Sequence, residues 1–136
     1  VREAAVLHHI GIFYTNAPRI GCHGKLHYLC HGIKGRELLE HEGLPKHALV
    51  CERHIGVGLT AADITRDGLP LPAREMVPLT AEEEIIAYAD LFFSKKSARK
   101  RQKRSVGEVR KSVAAFGTGK LSVFERWHSR YGSSIG

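Results

Sequence analysis

No apolar run in this sequence comes near the roughly 20 residues that a membrane-spanning helix requires, and no stretch has the layout of a secretory signal. A cytoplasmic protein with no membrane partner is therefore expected. Cysteine is scarce: Cys22, Cys30 and Cys51 are an odd and sparse set. That excludes a disulfide framework and predicts reduced thiols acting as small buried apolar groups. Convincing alternation of apolar and polar residues is missing, so strands are not expected. Internal repeats are missing too. What remains is 136 residues with a 43% hydrophobic share, enough for one domain, 1–136, with a continuous core.

The net charge of +7 has a local origin. The run "KKSARKRQKR" (95–104) holds seven of the 21 basic residues and no acid, which leaves 14 basic against 14 acidic residues elsewhere. Such a run can bind nucleic acid or another polyanion, although a solvated basic linker or loop is what its composition favours.

Helix signals fill the rest. Residues 1–9 read as the end of a helix whose start would precede Val1, followed by the turn-rich "NAPRIG". A helix over about 26–41 stops at Gly43. Pro45 opens the next, which runs to Gly56. Thr60 caps a short helix ended by Gly68, and "LPLPAREMVP" with its three prolines forms an ordered, non-helical loop. Thr80 with Glu83, and Ser105 with Glu108, are capping boxes that open two further helices. An amphipathic segment over about 120–131 completes an all-α domain.

Several polar residues sit where a core is expected. Asp90 follows Ile86 by four residues and precedes Phe93 by three, so it shares their stripe. A carboxylate there needs an ion-pair partner or a cation. His54 closes the helix from Pro45, His31 lies in line with Gly35 and Leu38, and His8 follows a small-residue face. Three histidines on three helices and an aspartate on a fourth suggest a convergent nitrogen and oxygen site for a transition metal. A competing zinc cluster, "CHGKLHYLCH", lacks the two-pair spacing of a finger, though His27 and His31 stand i, i+4.

The ordered set in "LHHIGIF", "CHGIKGRELLEHEGLPKHALVCERHIGVGL" and "LPLPAREMVPLTAEEEIIAYADLFFS", with the tail "VRKSVAAFGTGKLSVFERWHSRYG", resembles the HD-domain superfamily, in particular its small HDIG-type phosphohydrolase-like members. The resemblance implies an HD-domain-like helical bundle over nearly the whole chain. It assigns His8, His31, His54 and Asp90 as metal ligands, with His9 at the position where the family has a bridging aspartate. The family's first histidine, on a preceding helix, has no counterpart here. Imidazole offers one nitrogen per metal, so His9 bears directly on whether a dinuclear site forms.

The expectation is therefore a metal-dependent phosphohydrolase acting on a phosphate ester or nucleotide. One or two divalent transition-metal ions (Fe, Mn, Ni or Zn), with Mg also admitted, would be held by His8, His9, His31, His54 and Asp90. Lys34 and Arg74 would contact the phosphate. The alternatives are a degenerate HD domain that binds a nucleotide or partner without turnover and, further off, a di-iron oxygenase. Partners would be a small phosphorylated substrate and, through 95–104, a nucleic acid as the lesser candidate.

Overall fold

Among the described residues of the computed structural model, 1–93 and 103–135, seven α-helices occur. They are α1 (Arg2–Leu7), α2 (His31–His41), α3 (Pro45–Arg53), α4 (Ala61–Arg66), α5 (Ala81–Leu91), α6 (Val106–Ala114) and α7 (Thr118–Ile135). The all-α class read from the sequence is the class observed. Of the basic run 95–104, only Lys103 and Arg104 fall among the described residues.

The start signals are chemical and local. Thr60, Thr80 and Ser105 each accept the backbone N–H three residues on, and Asp63, Glu83 and Glu108 accept the N–H of the capping residue in return. These reciprocal bonds satisfy donors that the first turn of a helix leaves without partners. Arg53 adds a 2.6 Å bond to Glu83. Burial pushes the Glu83 carboxyl up, but the N–H groups of Leu79 and Thr80 and the Arg53 guanidinium outweigh it and hold the group below its ordinary value.

Two readings change at residues 16–31. A minimal hairpin pairs β1 (Asn16–Ala17) with β2 (Cys22–His23) around a 3₁₀ turn, Pro18–Ile20, and a left-handed Gly21. Two-residue strands are too short to show a period of two. The helix expected from about residue 26 begins only at His31, because the Leu29 N–H donates to the His27 side chain at 3.1 Å and His27 stays extended. His27 and His31 therefore share no helix face. At its other end α5 closes at Leu91, so Phe92 is buried while Phe93 leaves the stripe and is 46% exposed.

The largest apolar cluster joins α5, α6 and α7 through Ala87, Tyr88, Phe92, Val109, Val113, Phe124 and Trp127. Two smaller ones seat the α1–α3 corner: Ala4 with Val50 and Ile86, and Leu39 with Ala48 and Cys51. Each large side chain buried this way contributes about 1.5–3 kcal/mol. Between α1 and the hairpin a 3₁₀ segment, Ile10–Tyr14, lies directly on α2. The missing side chain at Gly11 makes this approach possible, and the histidines just before it are carried to the α2–α3 pair.

The proline-rich loop is ordered by two ties. Leu59 and Met76 exchange backbone bonds of 3.0 and 2.7 Å. Arg74 donates to Glu52 of α3, whose buried carboxylate also takes Arg36 of α2.

Candidate functional site

Three histidines are oriented by one backbone device. His8, His31 and His54 each turn Nδ1 to the carbonyl oxygen three residues earlier: Ala5 at 2.6 Å, Tyr28 at 2.7 Å and Cys51 at 2.7 Å. A carbonyl only accepts, so each Nδ1 carries a proton, and Nε2 is the nitrogen left to meet other groups. The three Nε2 atoms then face inward. His31 and His54 bring theirs to 2.9 Å of each other, deep in the fold. At that distance the two nitrogens are hydrogen-bonded to each other.

Asp90, from α5, completes the cluster. Its Oδ1 stands 3.3 Å from His8 Nε2 and 3.2 Å from His9 Nε2. His9 turns in beside His8, with ring centroids 3.8 Å apart, and lies 5.1 Å from the His54 ring. One donor atom from each of His8, His9, His54 and Asp90 lies within 4.8 Å of the others. Imidazole nitrogen and carboxylate oxygen at this spacing are donors that a borderline divalent cation accepts, so these are the side chains able to hold one. Among the described residues, 22–31 supply no comparable group.

Above the cluster opens a cleft of about 900 Å³, with His31, His54 and Asp90 among its lining residues. One wall is the hairpin segment 16–20, including Arg19; another carries Lys103, Arg104, Glu108 and Ser112. Tyr28 also lines it, and its carbonyl orients His31. Sequence reasoning passed over Arg19 and Tyr28. The signal for Tyr28 was its place three residues before His31; nothing local marks Arg19, because the hairpin that carries it is invisible to periodicity.

Lys34 and Arg74 stand elsewhere. Lys34 lies 4.9 Å from the centre of the Tyr14 ring and 3.2 Å from Glu37. Arg74 is engaged by Glu52. Neither lines the cleft.

Among the described residues no helix is long and apolar enough to cross a membrane. No protein-family profile matches the chain, and no solved structure does. Among curated proteins it is similar to an uncharacterized protein of Methanocaldococcus jannaschii, 38% identical over 98 residues, which are 71% of this chain and 50% of that protein. It is also similar to a tRNA (cytidine(56)-2'-O)-methyltransferase of Picrophilus torridus, 34% identical over 95 residues, 69% of this chain and 24% of that protein. A protein of the same name from Thermoplasma volcanium is 34% identical over 67 residues, 48% of this chain and 19% of that protein. The chain thus spans about half the length of the first relative and a quarter or less of the other two. These names correct the expected activity. Methyl transfer moves a carbon from a donor to a hydroxyl and has no phosphoryl group to polarise, so the phosphohydrolase reading, its phosphate-ester substrate and its divalent metal cofactor are overturned together.

Proposed function

We propose that this chain serves 2'-O-methylation of tRNA, as a helical module that holds the RNA over the cleft. The observation that carries the reading is the pair of tRNA methyltransferases matched at 34% identity. The segment matched is a quarter or less of each of those proteins. Among the described residues here the only sheet is a two-residue hairpin, with no parallel strand ends of the kind that cradle a nucleotide-like methyl donor in α/β folds. We therefore assign this chain the RNA-holding share of the task, in the cytoplasm. His31, His54 and Asp90 line the cleft, with His8 and His9 grouped against His54 and Asp90, and Arg19, Lys103 and Arg104 supply positive charge on its walls.

The test is fluorescence anisotropy of the purified chain with a labelled tRNA transcript, against duplex DNA of similar length. Binding should prefer tRNA, weaken steeply as salt rises, and weaken further in Arg19→Ala. An undetectable tRNA complex at low salt, or a flat salt response, would reject the reading. Incorporation of label from S-adenosylmethionine into tRNA by the chain alone would overturn the division of labour.

A further inference from the structure

Outside the run 95–104 the basic and acidic residues balance in number, yet not in place. No aspartate or glutamate occurs from residue 4 to residue 36, a stretch that carries Arg19, Lys25, Lys34 and Arg36. The fold gathers much of this acid-free stretch into one exposed surface. Leu26 N–H bonds to the Tyr14 carbonyl at 3.1 Å, Asn16 N–H to the Leu26 carbonyl at 2.8 Å and Gly24 N–H to the Thr15 carbonyl at 2.9 Å, so Lys25 is fixed beside residues 14–16. His23 pairs across from Asn16 in the hairpin, and both are exposed.

Two aromatic rings stand on this surface in water. Phe13 is 74% exposed and Tyr14 47%. A phenylalanine that exposed contributes little to the fold, and Lys34 is drawn over the Tyr14 ring. Lys34 is paired with Glu37, which leaves Arg19 and Lys25 as the cations beside the rings, and exposed rings interleaved with cations are the arrangement that stacks unpaired bases while holding their phosphates. A paired helix hides its base faces and has no use for the rings.

We infer that the surface of residues 13–27 binds an unpaired RNA strand, with bases on Phe13 and Tyr14 and phosphates on Arg19 and Lys25. The inference rests on the tRNA reading above and names the part of the RNA taken. Arg19 belongs both to this surface and to the cleft wall, so the strand leads from the rings toward the His–Asp floor.

The probe is a fluorescein-labelled single-stranded RNA of roughly ten nucleotides, a length within the footprint of such surfaces, and the same RNA annealed to its complement. Phe13→Ala/Tyr14→Ala should weaken single-strand binding roughly tenfold or more, with the salt slope unchanged, because stacking is not ionic. Lys25→Ala should weaken it and reduce the log–log salt slope by about 1. Tyr14→Phe should restore binding. Unchanged melting temperatures establish that the exposed-ring variants are folded. Failure of the wild-type chain to bind any tRNA removes the parent reading. Wild-type tRNA binding that survives intact in the double variant removes this inference alone, as does an equal loss on the duplex. Loss of self-association in the double variant, with RNA binding retained, would make the surface a contact between copies and likewise overturn it.

Discussion

The backbone of Gly11 rests against that of His31 so closely that a β-carbon on Gly11 would stand 2.2 Å from the His31 carbonyl oxygen and 2.5 Å from the Gly35 nitrogen. Both obstacles are backbone, which cannot swing aside. Gly11→Ala should therefore cost about 3 kcal/mol or more, at the upper end for an overpacked site. Gly119, in α7, has nothing within 4 Å of the same added atom, so Gly119→Ala should stabilise by about 0.5–1 kcal/mol through helix propensity. Urea unfolding of both variants checks the pair; equal effects would mean that the contact at Gly11 is not tight.

Glu52 joins α3 to α2 and to the proline-rich loop. It is 1% exposed, while the side chains of Arg36 and Arg74 are 30% and 49% exposed. Removing the acid leaves two arginines that can reach water; removing both arginines strands a buried charge. Glu52→Gln should cost about 1–3 kcal/mol, and the Arg36→Ala/Arg74→Ala double variant more, about 3–5 kcal/mol. The order of the two denaturation midpoints is the check, and the reverse order would refute it.

Lys120 ties α7 to α4 by donating to Asp63 at 2.5 Å and to the Gly58 carbonyl at 2.7 Å. The Lys120 ammonium, followed by the Thr60 N–H, holds the Asp63 carboxyl far below the usual carboxylate range. A carboxyl depressed in the folded state binds fewer protons there than in the unfolded chain. Its contribution is complete above about pH 4, the unfolded value, and fades as pH falls below it. Asp63→Asn should thus cost about 1–3 kcal/mol at neutral pH, and the gap from wild type should narrow at about pH 3. A gap that stays constant between the two pH values would contradict this.

The cysteines should be silent in the native protein. All three are free and buried, and burial pushes the Cys51 thiol up to about 12. Thiolate is the reactive form, so a thiol reagent at about pH 8 should label none of them quickly and all of them in guanidinium. Rapid native labelling of Cys51 would show that the α1–α3 corner opens.

The starts of α5 and α6 were legible because a capping box is written within four residues: Thr80 to Glu83 and Ser105 to Glu108. The hairpin at 16–23 was not, because two residues per strand carry no period. The link from Arg74 to Glu52 was hidden for another reason. A single acid beside an arginine near the end of a helix reads as surface, and only the fold reveals that it is buried. At the site, four helix-borne positions could be picked out as polar groups on apolar faces. The direction of His9, into the cluster and onto Asp90, depends on how α1 lands on α5. The reaction was beyond such reasoning altogether: a set of donor atoms states what can be held, not which bond is broken, and the relatives' names corrected the activity expected from it.

Each of the three inward-facing histidines is tethered through Nδ1 to a carbonyl three residues earlier in the chain. Their ring nitrogens are therefore rigid extensions of α1, α2 and α3, and the gap between them measures how those helices are seated. A sliding of α3 against α2 by even 1 Å, on the order of a minor helix shift, would open the His31–His54 contact without any side chain changing rotamer. What binds on the cleft floor and how the bundle is packed are in this way a single variable, read from either end.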